Sequence, residues 1–448
     1  GSTLYVDMWD HKSPLIFGYN SFFYKVFGDN IVLHRIFFTV LAILAIWLFY
    51  IAAKKLFNSL KLKNPLLIAR ISTLMFIFMA NLSQFTNSGN NNENLALIFI
   101  PAMLYLYLLY RQSPGSNRGY LLASGAMAGI LFLLKANFAF FILPILIDIV
   151  YINRKSIFNT VNNLAVFAIA PLAILLSWIL YFNSAGTLQQ FIIASYSFNS
   201  KYIKALGWDF NSPGIIIFLG ILALLMTFFA LSLLISLKDL RKPNKQMGFF
   251  VPTLSISVVL FIILAGTFYS HYFLVAIPYL CLVFGVTLHS LLGLKYKKLI
   301  IIGLASMCLV MYLVSLKQIV NTFSGSAKNE ADNQAIVAGY IKNHTNSDEK
   351  FFAYTYGATL YRLADRDSGT RFISASHPLI DYKYNFGYDF NTKAIIDMEL
   401  NNNKYIVMSS DPNDIYRVQN PVLMDYFTKN YRLETSVAGY DVYIRNGQ

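Results

Sequence analysis

At 448 residues the chain is long enough for two or three soluble domains, yet 56% of it is hydrophobic, 13% is charged and its mean hydropathy is +0.51. A soluble protein carries about 25% charged residues, so composition places this chain in a membrane. The formal charge of +14 does not signal nucleic-acid binding, because the basic residues sit in short loops between apolar runs, where they set topology and attract anionic headgroups. Cys281 and Cys308 both lie inside apolar runs and point to neither a disulfide nor a metal site.

The chain opens as Gly1-Ser2, and its first charged stretch, Tyr5 to Leu15, gathers Asp7, Asp10, His11 and Lys12 beside Trp9 and Pro14. Phe17, Phe22, Phe23 and Phe27 then recur on one helical face, which predicts a helix over 16–27 lying in the headgroup plane. Ten apolar runs follow that are suited to spanning: about 34–53, 65–83, 94–110, 119–134, 136–152, 160–182, 214–237, 247–265, 272–293 and 299–316. Loops after the odd-numbered runs hold fifteen Lys and Arg, whereas the alternate loops hold Lys135, Lys201 and Lys204. The positive-inside rule makes the first set cytoplasmic. The N-terminal cluster and everything after residue 317 then face outside, and one further span upstream of Gly1 is expected to bring the start of the protein to the inside.

From 318 onward Asn, Asp, Lys and Tyr rise and the apolar runs shorten. Helices are expected over Asn329–His344, Thr392–Leu400 and Pro421–Asn430. Strands are expected over Lys350–Tyr356, Thr370–Ala375 and Lys404–Ser410, with a hairpin over Tyr431–Arg445 turning at Ala438-Gly439. Alternating helix and strand predicts a small α/β domain on the outer face. The domains read are an external remnant over 1–33, a transmembrane domain of about ten helices over 34–317, and an extracytoplasmic domain over 318–448.

Polar groups collect on that one face. Lys12 can pair with a lipid phosphate, and Asp7, Asp10 or His11 can hold a proton or a divalent metal. The same residues would also serve simply to anchor an interfacial segment. Glu93 sits among amides at the mouth of a span, where an acid is costly without a partner. Lys201 and Tyr202 lie in the loop 183–213, which carries aromatics suited to sugar faces and cations suited to phosphate. His271 and Tyr272 end another outer loop, and Arg35 stands at the end of the first span, where a cation must snorkel or find an anion. Nucleotide-binding loops, His-Glu-x-x-His and Gly-x-Ser-x-Gly are missing from the sequence.

The run Leu4-Tyr-x-Asp-x-Trp-Asp-His-Lys-x-Pro-Leu15, with Phe27-Gly28 and Arg35, resembles the first external loop of polytopic GT-C glycosyltransferases. The nearest group is that of the protein O-mannosyltransferases and lipid A aminoarabinose transferases. Asn92-Glu93, His271-Tyr272 with Pro278, and Tyr340-Ile-Lys-x-x-Thr345, Leu360-Tyr361 and Arg371-Phe372 resemble later parts of that group. The resemblance implies a mainly helical membrane enzyme that moves a sugar from a polyprenyl-phosphate donor to a protein, lipid or glycan acceptor on the outer face of the plasma membrane. It implies Lys12 at the carrier phosphate, and a general base in an acidic pair upstream of this chain or, failing that, at Asp7 or Asp10. An O-antigen ligase or polymerase is the rival enzyme. A transporter is the rival from another class, disfavoured because mid-span charges and internal repeats are scarce. No cofactor is certain, and a divalent metal is left open.

Overall fold

The structure is a computed structural model that describes residues 3–28, 30–86, 90–113, 117–201, 249–264, 270–292, 326–354, 358–373, 388–414 and 420–447, with isolated helical positions between 306 and 320. By packing, the chain divides into two compact units: residues 1–11, 187–205 and 317–448 form one, and residues 12–186 and 206–316 form the other.

The helical unit begins with α1 (Pro14–Phe27), a helix where the aromatic spacing predicts one, started by a proline in its first turn and followed by Gly28 at φ 64°. Next come α2 (Ile31–Ser59), α3 (Pro65–Ala80), the short α4 (Ser83–Thr86), α5 (Asn92–Gln112), α6 (Arg118–Leu134), α7 (Leu143–Ile152) and α8 (Ile157–Ser184). Two further helices span Phe250–Leu264 and Phe273–Leu292. Asn30, Asn91 and Ser156 cap α2, α5 and α8 by accepting from first-turn amides. Val32–Ser59, Asn92–Gln112, Ile157–Ser184 and Phe273–Leu291 are long and apolar enough to cross a membrane, and Pro65–Ala80, Arg118–Leu134, Ala136–Ile152 and Phe250–Leu264 are shorter apolar segments. The spans expected at 214–237 and, isolated positions apart, at 299–316 lie outside the described residues.

The run 136–152 departs from the expected single helix. It is a 3-10 segment over Ala136–Ile142 that passes into α7. An α-helical register would pair the Phe140 carbonyl with the amide of residue 144, which is proline and has none. That carbonyl accepts instead from Leu143 N–H and from the Ser257 hydroxyl at 2.5 Å, while the Phe141 carbonyl accepts from the Tyr279 hydroxyl at 2.6 Å. Irregular backbone at membrane depth survives only when neighbours satisfy it in this way.

Close approach of α6 and α8 needs small residues. A Cβ on Gly125 would stand 2.0 Å from the Phe167 carbonyl oxygen, and one on Gly129 would stand 2.7 Å from Pro171 Cα. Across the bundle, Asp148 of α7 is buried and accepts from the Tyr107 hydroxyl at 2.6 Å and from the Arg111 guanidinium, so this interior carboxylate is paired.

The other unit contains a four-stranded sheet in the order β1-β2-β4-β3, with β1 (Phe351–Tyr354), β2 (Tyr405–Ser409), β3 (Tyr431–Val437) and β4 (Tyr440–Arg445). β1 and β2 are parallel and the other pairs antiparallel. Helices Ala358–Ala364 and Phe390–Leu400 lie in the crossover that a parallel pair requires. The β3–β4 hairpin turns through Ala438 and Gly439 at φ 51° and 78°, the positive-φ pair of a tight two-residue turn. Helices Ser326–Asn343, Phe390–Leu400 and Pro421–Asn430 fall where they are expected, and the helix Ala358–Ala364 was not foreseen. The strand expected over Thr370–Ala375 is not formed by its described residues. The Ser368 hydroxyl takes the Thr370 N–H, and the Asp397 carboxylate takes the Arg371 N–H, so the backbone groups of a ladder are already spent on side chains.

Candidate active site

In the sheet-bearing unit, residues 3–11 form a compact turn in which Thr3 O accepts from Val6 and Asp7 N–H and Met8 O accepts from Tyr5 N–H at 2.8 Å. Tyr5, only 1% exposed, accepts from the Ser195 hydroxyl at 3.0 Å, and burial drives its phenol pKa upward. Trp9 packs on Phe390, Phe198 and Phe372 with ring centroids 4.7, 5.3 and 5.8 Å away. Asp7 is exposed and its carboxylate accepts from Thr3 N–H at 2.7 Å. Asp10 lies 3.4 Å from His11 Nδ1, and the His11 carbonyl accepts from Asn199 Nδ2 at 2.8 Å. Lys201 sits 4.6 Å from the ring centroid of Tyr388, a cation–π contact that occupies one of the expected phosphate ligands. Tyr202 lies outside the described residues. The boundary between the two units falls between His11 and Lys12, dividing the charged motif.

In the helical unit Lys12 is exposed at the approach to α1. Arg35, on the first turns of α2, lines a cavity of about 240 Å³ between α2, α3, α4 and α5. Asn81, Thr86 and Asn94 supply the polar wall, and Phe38, Ala45, Phe76 and Leu97 are among the apolar remainder. The polar wall is built by local bonds. Asn94 Nδ2 donates to Thr86 O at 2.9 Å, Asn91 Oδ1 accepts from Asn94 N–H at 2.9 Å, and Asn81 Nδ2 donates to Ile77 O at 2.7 Å. Arg35 thus lines a pocket together with amide and apolar side chains, a mixture of groups that suits a phosphate joined to a hydrocarbon. Pockets for whole small ligands run from about 300 to 1,000 Å³, so this one is smaller than a site that encloses an entire ligand.

Glu93, His271 and Tyr272 are brought together, as the sequence suggested only by their common face. What joins them is Lys135. Its Nζ lies 2.9 Å from Glu93 Oε1 and 3.5 Å from the Tyr272 ring centroid, and the His271 and Tyr272 rings meet edge to face at 4.8 Å. Glu93 occupies the first turn of α5, where the helix dipole favours an anion. Its side chain is 4% exposed, so the lysine is what makes its ionisation tolerable. Lys135 is in extended backbone at the junction of α6 and the 3-10 segment, aimed by the same break that ends the helix. Burial holds His271 below the ordinary histidine pKa, with Glu93 opposing and Lys135 reinforcing the shift.

Lys135, Asn94 and the Arg371–Asp397 pair were missed as contributors. For Lys135 a signal existed, a lone cation between two apolar runs, and Asn94 adjoins the amide-rich loop that supplies its partners Asn91 and Thr86; Arg371 and Asp397 lie 26 residues apart and give no local signal. Among the described residues no group of three His, Cys, Asp or Glu is placed to hold a metal ion.

Residues 11–181 match the family model of dolichyl-phosphate-mannose-protein mannosyltransferases. No curated protein sequence matches the chain. Among solved structures, the Archaeoglobus fulgidus oligosaccharyltransferase in complex with Zn and sulfate is similar at 17% identity and a TM-score of 0.58, covering 99% of this chain and 66% of that one. ArnT from Cupriavidus metallidurans bound to undecaprenyl phosphate is similar at 14% identity and a TM-score of 0.59, covering 97% of this chain and 87% of that one. The archaeal oligosaccharyltransferase AglB in complex with an inhibitory peptide and a dolichol-phosphate gives 15% identity and a TM-score of 0.53, covering 98% and 66%. This chain therefore spans just under two thirds of the archaeal enzyme's length. The fold is that of the GT-C glycosyltransferases, mainly helical with a small C-terminal sheet.

Proposed function

From the GT-C fold and the match over residues 11–181, we propose that this membrane protein transfers a sugar from a polyprenyl-phosphate carrier to an acceptor hydroxyl or amine at the outer membrane surface. The observation that carries the reading is the Arg35 cavity, lined by a cation and amides together with hydrocarbon. A lipid-linked donor needs that mixture, and a sugar nucleotide would need a larger polar pocket. The family and fold likenesses support the same class of donor, because one similar structure holds undecaprenyl phosphate and another a dolichol-phosphate. The charge asymmetry of the loops supports the outer face.

In the step proposed, the acceptor's lone pair attacks the anomeric carbon, and the bond from that carbon to the phosphate oxygen breaks. The bonding pair leaves on the polyprenyl phosphate. The acceptor proton passes to a carboxylate, for which Asp7 and Asp10 are the candidates in this chain. Negative charge grows on the leaving phosphate, and Arg35, with Lys12 as the second cation proposed, stabilises it.

The test uses the purified protein in liposomes with radiolabelled undecaprenyl-phosphate sugars. Arg35→Ala should lower kcat/KM for the lipid donor by roughly tenfold or more, since hydrogen bonds to charged groups contribute about 1.5–3 kcal/mol. An unchanged kcat/KM in Arg35→Ala removes the cavity from the site. Folded wild-type protein that consumes none of these donors refutes the reading.

A further inference from the structure

Residues 3–11 are held at three points, and the acidic positions of the motif stand between them. The Tyr5 oxygen is bonded to Ser195 at 3.0 Å. Trp9 N–H donates to the Arg371 carbonyl at 2.8 Å while its indole packs on Phe390, Phe198 and Phe372. The His11 carbonyl is held by Asn199 at 2.8 Å. Asp7 and Asp10 occupy the intervals and keep solvent access.

The middle point is the most rigidly built. Arg371 is clamped by one carboxylate: its N–H and Nε donate to Asp397 Oδ2 at 2.9 and 2.8 Å, and its Nη2 donates to Oδ1 at 2.8 Å. Asp397 is itself buried on the helix Phe390–Leu400, which also supplies Phe390 to the indole. A bidentate guanidinium–carboxylate pair fixes direction as well as distance. The residue whose carbonyl receives Trp9 N–H is therefore held through both its backbone amide and its guanidinium. A large aromatic side chain in a three-ring pocket adds packing that a smaller residue cannot reproduce.

The geometry points to Trp9 as a positioning residue, through which the Asp397–Arg371 clamp of the C-terminal domain sets the backbone that presents Asp10 and His11. The inference rests on the proposed sugar transfer with a carboxylate of this motif taking the acceptor proton. It gives the appended domain a task in the reaction that does not require it to touch either substrate.

The experiment measures kcat and KM for radiolabelled undecaprenyl-phosphate sugar in liposomes, normalised to folded protein, for wild type, Trp9→Ala, Trp9→Phe and Asp397→Asn. Misplacement of a reacting group by about 1 Å costs up to roughly a hundredfold. Trp9→Ala should therefore lower kcat roughly ten- to hundredfold, with KM for the lipid donor within about twofold of wild type. Trp9→Phe, which keeps an aromatic ring in the pocket, should restore most of the loss. Asp397→Asn, distant in sequence from the motif, should lower kcat in the same sense. A residue that only stabilises the fold would lower the yield of folded protein and leave kcat per folded molecule unchanged. That outcome in Trp9→Ala and Asp397→Asn, beside an active wild type, overturns the positioning role and leaves the transferase reading standing. An inactive wild type overturns both. If Trp9→Ala does not fold, Trp9→Phe and Asp397→Asn decide the matter alone.

Discussion

Replacing Lys135 by alanine strands the Glu93 carboxylate, whose side chain is 4% exposed and whose nearest cation stands at 2.9 Å. Removing one partner of a buried ion pair costs roughly 3–5 kcal/mol, because the remaining charge keeps its desolvation penalty and loses its compensation. The lost cation over Tyr272 adds about 0.5–1 kcal/mol. At roughly 2 °C per kcal/mol, Tm in detergent at pH 8 should fall by about 7–12 °C. The paired change Lys135→Ala with Glu93→Gln leaves no charge behind and, measured beside Glu93→Gln alone, should recover more than half of that loss. The cycle should give a coupling of about 2 kcal/mol, read by thermal unfolding followed with near-UV circular dichroism. A Lys135→Ala protein as stable as wild type would refute the reasoning, and so would a double variant no better than the single one.

Gly125→Leu should be severely destabilising, by more than the usual 1–3 kcal/mol of overpacking, because the atom its Cβ would meet is the Phe167 backbone oxygen, which cannot move aside. Gly18→Ala in α1, which meets nothing within 4 Å, should be tolerated or raise stability by roughly 0.5–1 kcal/mol; both are read from the midpoint of thermal unfolding. His271 has a lowered pKa in the folded protein, so the unfolded chain binds a proton first as pH falls. The stability it contributes is complete above the ordinary histidine value of about 6.5 and is lost as pH drops through the lower folded value. His271→Asn should flatten this acid-side slope in a Tm series across pH, and an unaltered slope would exclude His271 as its source.

What the sequence makes legible here is whatever is encoded locally. Ala438-Gly439 marks the hairpin turn because few residue pairs accept two consecutive positive φ angles, and Pro421 marks a helix start because proline suits the first turn. The aromatic spacing over 16–27 gives α1 in the same way. The candidate site is less legible because its parts meet over long separations. Glu93 and Lys135 lie 42 residues apart, and Trp9 finds Arg371 and Phe390 near the other end of the chain. The break after Leu134 could be suspected from Lys135 and Pro144. Its stability could not, since it depends on Ser257 and Tyr279. The strand expected at Thr370–Ala375 is not formed over 370–373 for a related reason: Asp397, 26 residues on, claims the Arg371 amide.

The unequal lengths of the helices have a consequence for the lipid around them. α3 and α6 have 16 and 17 residues, about 24 and 26 Å at 1.5 Å per residue, and are shorter than a hydrocarbon core of about 30 Å. α2 and α8, with 29 and 28 residues, exceed it. If the short helices cross the same bilayer as the long ones, the lipid thins beside the short helices while the long ones tilt. Longer acyl chains would draw hydrocarbon up over the end of α6, where Lys135 and Glu93 stand, and shorter ones would uncover it. Acyl-chain length is therefore a physical variable to which this charge pair is exposed, alongside pH and salt.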